Sequence, residues 1–368
     1  MPLPAPPSLP ATFRAYVVEH AGERLDGPVT RGVREVAEAE LPPGEVTVRV
    51  AWSSVNYKDG LAAIAAGRVA RVSPLIPGID LAGEVVASEN TSENTSDDTS
   101  ENTSEDTSGD TSEHARFRPG DRVIAHGYDL GVAHHGGFAE YARLPADWVV
   151  PLPTGLSLRD AMAIGTAGFT AAQSVVTLEE RGLTPDAGPV LVTGATGGLG
   201  STAVGILASR GYEVWAVTGK EDARSWLQTL GAVGFLSRDE VAAPGRPLEH
   251  ERWAGAIDTV GAAALPYILR TLRRGAAVAA CGNASGPDLE TTVLPFILRG
   301  VALLGMDSAW LPIGERRALW ARLATDLRPS ALGSDSTEVT LETLETALDA
   351  IVAGLARGRW IVRLGADR

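Results

Sequence analysis

The chain has 368 residues, 44% of them hydrophobic, which predicts about two domains with a full apolar core. Its formal net charge of -14 argues against general nucleic-acid binding, which requires a basic surface. The single cysteine, Cys281, excludes a disulfide framework within the chain and favours a reducing compartment. No run approaches the roughly 18 consecutive apolar residues of a membrane span, and the N-terminus lacks the features of a signal peptide, so we expect a soluble cytoplasmic protein.

The first half of the chain is a succession of short β-like runs. Runs such as FRAYVV and VTVRVAW alternate with turns such as Leu41-Pro42-Pro43-Gly44. Many short strands separated by Gly/Pro turns predict a barrel-like all-β domain over residues 13–157. The proline-rich residues 1–12 that precede it are expected to form a disordered tail.

An acidic repeat interrupts this domain between Ser88 and Glu113. Four-residue units such as ENTS and EDTS contribute nine acidic residues and no Lys, Arg or apolar residue. A segment of this composition cannot bury a core, so we expect a disordered, solvated surface loop. An acidic tail for a partner and a phosphorylation tract are the alternatives.

A predicted helix from Leu158 to Leu178 leads into a βαβ pattern at Pro189 to Lys220. An apolar run, Val190–Val192, predicts a strand, and a helix-like segment, Ser201–Arg210, precedes a second strand at Val214–Val217. The turn between the first strand and the helix holds Gly194, Gly197, Gly198 and Gly200. Glycines let the backbone approach a pyrophosphate, and the helix N-terminus favours its negative charge. This pattern predicts a dinucleotide site rather than a merely structural turn.

The end of the second strand indicates which dinucleotide is bound. An NAD-binding unit usually places an acid about 20 residues after the glycines, whereas this strand ends in Thr218-Gly219-Lys220. Thr218 can donate a hydrogen bond, and Lys220 supplies a positive charge that suits a 2′-phosphate. Arg224, one helical turn further on, can add a second charge. The residues therefore favour NADPH over NADH.

Alternating strand and helix segments continue through Gly255–Asp258, Ala276–Cys281 and Val301–Leu304. We therefore predict an α/β fold in which residues 158–308 form a doubly wound parallel sheet of the Rossmann type. The final run, Trp360–Leu364, predicts a strand that returns to the first domain, and residues 309–368 are assigned to that return.

This order of segments resembles the medium-chain dehydrogenase/reductase superfamily, in which a GroES-like β-domain is completed by the C-terminus. Several strings are similar, more narrowly, to its acryloyl-CoA reductase branch, whose members are often labelled NADPH-dependent quinone oxidoreductases. These strings are SSVNYKDGLAA, PLIPGIDLAGEV, HHGGFAEYAR, AMAIGTAGFTAA, VTGATGGLGSTAV, WAGAIDTVG and TTVLPFILRGVALLGMDS. The acidic repeat departs from the family, which has a short turn at that place.

The resemblance implies that Asn56-Tyr57-Lys58-Asp59 faces the nicotinamide from the β-domain. Tyr57, Asn56 and Asp59 are the predicted catalytic residues. Tyr57 is expected to contact the cofactor and to position the substrate carbonyl or donate a proton. Asn56 offers an amide donor, and Asp59 is expected to orient Tyr57 or Lys58. The alternative is that these residues simply cap a turn leading into a helix.

The remaining predicted contacts also follow from the resemblance and the strand ends. Thr166 is expected near the nicotinamide ribose, with a helix-packing contact as the alternative. Val260, Gly282 and Asn283 follow later strands, where open α/β sheets bind ligands, and Arg299 is either an acyl-CoA phosphate contact or a solvated helix end. The predicted cofactor-binding residues are Tyr57, Thr166, Thr196, Gly197, Gly198, Leu199, Gly200, Thr218, Gly219, Lys220 and Gly282.

A catalytic zinc, which many members of the superfamily hold with Cys, His and Asp or Glu, is not expected. Cys281 lies at the end of a predicted sheet strand, where it is interpreted as a small core residue. The string Pro77-Gly78-Ile79-Asp80 stands where zinc-containing relatives have Gly-His-Glu, and His126, His134 and His135 lack thiolates or well-spaced carboxylates beside them.

We therefore expect zinc-independent, NADPH-dependent reduction of the C=C bond of short 2-enoyl-CoA thioesters such as acryloyl-CoA, with hydride transferred to the β-carbon. An NADPH:quinone oxidoreductase is the enzymatic alternative, and a non-enzymatic NADPH-binding or sensing protein is the other. The resemblance also implies a homodimer joined through the edge strand near Val301 to Gly305.

Overall fold

The structure is a computed structural model that describes residues 9–22, 25–89, 117–330, 332 and 336–365. The disorder predicted for the tail and the acidic repeat falls mostly on residues 1–8 and 90–113, which lie outside the described residues. Thr12 and Ser88 were assigned to these two segments, yet they are the first and the last residue of strands. Both are paired in β-ladders, Thr12 with Ala37 and Ser88 with Val46.

The first half of the chain folds mainly into antiparallel β-structure. Its apolar residues lie in short runs of strand length, and turn residues separate these runs. Its elements are β1 (Thr12–His20), β2 (Val29–Ala37), β3 (Val46–Val55), α1 (Tyr57–Ala62), β4 (Asp80–Ser88), β5 (Arg122–His126), β6 (Tyr141–Leu144) and β7 (Val149–Pro151). The two long strands β1 and β2 pair antiparallel as a separate ribbon.

The second half alternates strands and helices. Its elements are α2 (Leu158–Glu180), β8 (Val190–Val192), α3 (Gly198–Ser209), β9 (Val214–Val217), α4 (Arg224–Thr229), β10 (Ala232–Leu236), α5 (Arg238–Ala242), β11 (Trp253–Asp258), α6 (Ala264–Thr271), β12 (Leu272–Ala280), α7 (Leu294–Arg299) and β13 (Ala302–Gly305). The chain ends with α8 (Ile313–Leu323), β14 (Thr337–Val339), α9 (Leu344–Val352) and β15 (Trp360–Arg363).

Strands β8 to β13 form a six-stranded parallel sheet in the order β10-β9-β8-β11-β12-β13. This is the order of a doubly wound dinucleotide-binding sheet, whose direction of winding reverses between β8 and β11. The predicted Rossmann-type sheet is confirmed. Helix α3 begins at Gly198, three residues before the predicted start, because the glycine turn itself forms its first turn.

The predicted C-terminal strand is β15, and it pairs antiparallel with β3. It thereby joins a second sheet, of order β14-β15-β3-β4-β5-β7, with β6 also paired to β3. Because β3 has neighbours on both sides and is covered on both faces, nine of its ten residues are buried. The last described strand of the chain is therefore part of the N-terminal sheet.

Helix α2 joins the two sheets. It packs on β3 and β4 of the antiparallel sheet and on α3 of the parallel unit. Its 23 residues are apolar enough by composition to cross a membrane, but 72% of the apolar window is buried inside the protein, as in a core helix. One apolar core therefore runs through both units, including Trp52, Phe169, Val192 and Trp320.

Candidate active site

A cleft of about 900 Å³ lies between the two units. The parallel sheet contributes the turns that follow β8, β9, β11 and β12, at the carboxyl ends of its strands. The other walls come from the corner between β3 and α1, the loop after β5 and residues 351–354. A cleft at this edge, beside the reversal between β8 and β11, is where open α/β sheets bind ligands.

The turn after β8 has the geometry of a phosphate-binding loop. Gly194 has φ +56°, and a Cβ on Gly200 would lie 2.4 Å from the carbonyl oxygen of Gly194, so both positions require glycine. Gly197 is the N-cap of α3, whose first N–H groups have no partner within the helix. This twelve-residue helix therefore presents donors and the positive end of its dipole to the cleft, which fits a pyrophosphate.

Two cations stand beyond the end of β9. Lys220 and Arg238 both line the cleft, and a Cβ on Gly219 would lie 2.9 Å from Cδ of Arg238. Lys220 donates from Nζ to the carbonyl oxygen of Ala356 at 2.9 Å. Partial burial, followed by the nearby charge of Arg238, lowers the pKa of Lys220. Such a pair of cations beside Thr218 fits a 2′-phosphate.

The structure corrects the prediction for the second cation. The guanidinium of Arg224 pairs with Glu221 at 3.5 Å and lies over the ring of Phe235, and it does not line the cleft. Arg238 lines the cleft instead, because it follows β10, the strand next to β9 in the sheet. Arg224 was predicted because it follows Lys220 by one helical turn in the sequence. In the fold, Arg238 is nearer the cleft because the carboxyl ends of neighbouring parallel strands lie at the same edge of the sheet.

A buried polar cluster lies at the junction of the two units, with Asp80 at its centre. The Asp80 carboxylate accepts hydrogen bonds from Nδ2 of Asn56 at 2.8 Å, from the backbone N–H of Thr166 at 2.9 Å and from the hydroxyls of Ser54 and Thr166. Arg359 lies 3.9 Å from the same carboxylate. We call Ser54, Asn56, Asp80, Thr166 and Arg359 the junction cluster.

Arg359 links the junction cluster to the elements around it. Its guanidinium donates to Oδ1 of Asn56 at 3.2 Å, to Oγ of Ser54 at 2.7 Å and to the carbonyl oxygen of Ala163 in α2 at 2.9 Å. Burial lowers the pKa of Arg359, and the charges of Asp80 and then Asp59 act in the opposite direction. The preceding residue, Gly358, donates to the carbonyl oxygen of Thr196 in the glycine turn at 3.0 Å.

These contacts change the role of Asn56. One end of its carboxamide donates to Asp80 and the other accepts from Arg359, so both ends are held by the protein. The predicted role as an amide donor to the ligand is therefore replaced by one in which Asn56 ties the β3–α1 corner to the junction cluster. Tyr57, the first residue of α1, lines the cleft and is 36% exposed, so its side chain is accessible to a ligand.

Asp59 also has a different role from the one predicted. Its fully buried carboxylate accepts from the backbone N–H groups of Asn56 at 2.8 Å, Gly78 at 3.1 Å and Ile79 at 2.9 Å. Burial and the neighbouring Asp80 raise the pKa of Asp59 to about 7. Both carboxylate oxygens bind backbone N–H groups, and Asp59 does not line the cleft. Asp59 therefore holds the start of α1 against residues 78–79 and does not orient the Tyr57 or Lys58 side chain.

The other predicted ligand contacts divide into two groups. All predicted cofactor-binding residues except Gly219 line the cleft, as do Val260 and Asn283. Arg299 does not. Its guanidinium donates to the carbonyl oxygens of Arg270 and Leu272, so it is a structural residue at the end of α7.

The polar groups of the cleft do not fit zinc. Among the described residues, no three His, Cys, Asp or Glu side chains come together as a metal site. The thiol of Cys281 donates to the carbonyl oxygen of Asp258 at 3.2 Å, and burial raises its pKa to about 12. The lone pairs of Asp80 are taken by donors, and Nε2 of His126 accepts a hydrogen bond from Nε1 of Trp320 at 2.8 Å, so neither residue offers a free ligand atom there. The zinc-free reaction stays a prediction.

Known proteins resemble the chain over nearly its whole length. The alcohol dehydrogenase GroES-like domain matches residues 42–154, and the zinc-binding dehydrogenase domain matches residues 198–324. The acrylyl-CoA reductase AcuI of Ruegeria pomeroyi is 45% identical over 355 residues, covering 96% of this chain and 100% of the relative. The putative quinone oxidoreductase YhfP of Bacillus subtilis is 45% identical over 334 residues, covering 90% and 94%.

Two solved structures are similarly close. The yhdH oxidoreductase from Salmonella enterica in complex with NADP is 46% identical with a TM-score of 0.85, covering 95% of this chain and 99% of the relative. The Bacillus subtilis protein yhfP with NAD bound is 43% identical with a TM-score of 0.85, covering 96% and 99%. One of these relatives was therefore solved with NADP and the other with NAD.

Gly165 gives a test of the junction cluster. It interrupts α2 with φ +52°, and a Cβ there would lie 2.5 Å from both Nη2 of Arg359 and Oδ2 of Asp80. We expect Gly165→Ala to lower the free energy of unfolding by about 3 kcal/mol or more, because it adds backbone strain and disturbs a buried ion pair. The measurement is denaturant unfolding followed by fluorescence.

The matched control is Gly182→Ala. Gly182 has φ +92° with nothing within 4 Å of its added Cβ, so only backbone strain of about 1–2 kcal/mol is expected. Equal losses in the two variants would mean that the junction cluster tolerates the collision.

Proposed function

Because the chain belongs to the acrylyl-CoA reductase branch of the medium-chain dehydrogenase/reductase superfamily, we propose that it reduces short 2-enoyl-CoA thioesters such as acryloyl-CoA with NADPH and without zinc. One observation carries the proposal: the glycine turn, the cations Lys220 and Arg238, and Tyr57 all line a single cleft. Enoyl reduction needs this combination of a held dinucleotide and an opposing polar side chain.

The residues of the parallel sheet would hold NADPH. The N–H groups at the start of α3, from Gly198 onward, would bind the pyrophosphate, and Lys220 with Arg238 would bind the 2′-phosphate. Gly282, after β12, lines the cleft with its backbone. A Cβ there would lie 2.3 Å from the carbonyl oxygen of Thr259, so the position requires glycine. Thr166 lines the cleft from α2 and would flank the nicotinamide ribose.

NADPH supplies a hydride to the β-carbon of the enoyl thioester, whose carbonyl already withdraws electron density from that carbon. The protein then has two tasks: to orient the thioester and to stabilise the negative charge that develops on its carbonyl oxygen. Tyr57 would do both from the opposite wall, since its hydroxyl can donate to the carbonyl oxygen or deliver a proton to the α-carbon. Asn56 and Asp59 would act through the position of the corner that carries Tyr57.

A quinone is the alternative substrate. The observation that supports it is the similarity of the chain to YhfP, which is named a putative quinone oxidoreductase. The cofactor half of the cleft serves both reactions equally. A protein that only binds or senses NADPH is the third possibility. The exposed Tyr57 opposite an intact glycine turn argues for catalysis.

We further propose a soluble, cytoplasmic homodimer. Strand β13 is an edge of the parallel sheet and carries Leu303, which is 36% exposed. Ile297 and Leu298 of the preceding helix α7 are 68% and 50% exposed. An edge strand that carries an exposed apolar side chain is suited to pairing with a second copy.

A comparison of acceptors tests the substrate. We expect NADPH oxidation with acryloyl-CoA to exceed that with a simple benzoquinone in kcat/KM, and Tyr57→Phe to lower kcat for acryloyl-CoA by about tenfold to a hundredfold, since it loses the hydroxyl. Turnover of the quinone without any turnover of the thioester would reject the proposal in favour of the quinone alternative. If the protein bound NADPH but did not oxidise it with an enoyl thioester, an enone or a quinone, the result would favour a binding or sensing protein.

The cofactor preference is tested by Arg238→Ala. We expect the Kd for NADPH to rise at least about tenfold and that for NADH to change little, because only NADPH carries the 2′-phosphate that the guanidinium would bind. Arg224→Ala removes the same charge 14 residues earlier, outside the cleft, and should leave both Kd values unchanged. The measurement is nicotinamide fluorescence titration. Parallel weakening of both cofactors by Arg238→Ala would contradict this assignment.

The dimer is tested by placing a charge at each edge of the parallel sheet. Leu303→Glu on β13 should give a monomer in light scattering, since a buried, unpaired carboxylate opposes association. Val233→Glu on β10, where Val233 is 63% exposed at the opposite edge, should leave the dimer intact. A dimer that survives Leu303→Glu would place the interface elsewhere.

A further inference from the structure

Arg316 of α8 is a buried cation without a carboxylate partner among the described residues. It is fully buried, yet it forms no ion pair within the described part of the chain. A buried guanidinium that lacks an anion must satisfy its N–H groups with other acceptors. The acceptors around Arg316 are backbone carbonyls at the wall of the cleft and the imidazole of His126, whose Nδ1 lies 3.0 Å from Nη1.

These carbonyls come from both units of the protein. Nη1 of Arg316 donates to the carbonyl oxygen of His126, at the end of β5, at 2.9 Å. Nη2 donates to the carbonyl oxygens of Ser308 and Ala309, in the segment after β13, at 3.2 and 2.9 Å. The guanidinium therefore holds the end of an antiparallel strand against the segment that leaves the parallel sheet.

The same guanidinium lies over the ring of Tyr128, 4.6 Å from its centroid. Tyr128 has φ +50°, a conformation that costs energy for a residue with a large side chain, and its backbone N–H donates to the carbonyl oxygen of Ala309 at 2.8 Å. Gly127 before it has φ +80°, and a Cβ there would lie 3.1 Å from both Nη1 and Nη2 of Arg316. A strained backbone held this closely fixes the direction in which Tyr128 projects.

Tyr128, Ser308 and Ala309 all line the cleft. They belong neither to the glycine turn nor to the strand ends that would hold the dinucleotide, and they share the cleft with Tyr57. Resting on the proposed reduction of enoyl thioesters, we propose that Arg316 is a positioning residue that fixes Tyr128 as the wall against which the thioester lies. Arg316 acts on the orientation of the substrate and leaves the binding of NADPH unaffected.

The experiment is a double-mutant cycle of Tyr128→Ala and Arg316→Gln, with Arg322→Gln as the control. Arg322 lies on the same helix but pairs with Asp326 at the surface, so its variant should behave as the wild type. KM and kcat for acryloyl-CoA are measured per folded molecule, with the Kd for NADPH measured by fluorescence.

We expect each single variant to raise KM for acryloyl-CoA about tenfold while the Kd for NADPH changes less than about twofold, because only the substrate wall moves. The double variant should be no worse than the more damaged single variant, since Arg316 acts through Tyr128. Tyr128→Phe keeps the ring and should stay near the wild type, and Arg316→Lys, which keeps the charge but not the planar fork, should recover only part of the loss.

The proposal would be overturned if the fold increases in KM of the two single variants multiplied in the double variant. A parallel loss of NADPH affinity would overturn it as well. If Arg316→Gln does not fold, the comparison of Tyr128→Ala with Tyr128→Phe decides alone, and an unchanged KM in Tyr128→Ala overturns the proposal. Failure of the proposed function is seen separately, because the wild type would then not reduce acryloyl-CoA at all. The wall is in that case tested with the quinone that the wild type reduces.

Discussion

The contact between Arg359 and Asp80 is the constraint on which the active-site geometry depends. Two charges have been taken out of water at the junction of two units, and removing one partner of such a pair typically costs about 3–5 kcal/mol. The remaining hydrogen-bonding capacity is taken up by Ser54, Asn56, Thr166 and the backbone of α2. Each of these groups must therefore lie where the pair requires it.

This requirement links sequence positions that are far apart. Asn56 and Tyr57 start α1, Thr166 follows the break in α2, and Arg359 precedes β15, which pairs with β3. The backbone N–H of Gly358 also reaches the glycine turn at Thr196. The residue proposed to face the substrate and the turn proposed to hold the cofactor are thus connected through a few buried bonds. Surface ion pairs, which typically contribute about 0–1 kcal/mol, cannot impose such a register.

Arg316 is a second buried guanidinium that binds groups from both units, with a different set of acceptors. Arg359 has a carboxylate and side-chain partners, whereas Arg316 uses backbone carbonyls and aromatic rings. Both guanidiniums have several donors in a planar fork, so each can bind groups from two units at once. Buried lysine could not do this, because its single ammonium lacks the span.

The sequence by itself was sufficient for the parallel sheet, the glycine turn and the cationic end of β9. These features depend on local rules: apolar runs of strand length, glycine where a Cβ would collide, and the missing acid after the second strand. The family resemblance also indicated that Tyr57 lines the cleft. What the sequence could not determine was which side chains meet across the chain. Arg238 and not Arg224 lines the cleft, the Asn56 carboxamide and the Asp59 carboxylate bind groups of the protein, and no local pattern marks Arg316. Only the tertiary structure decided these, because the bonds of a buried polar group depend on which distant strands and loops are brought beside it.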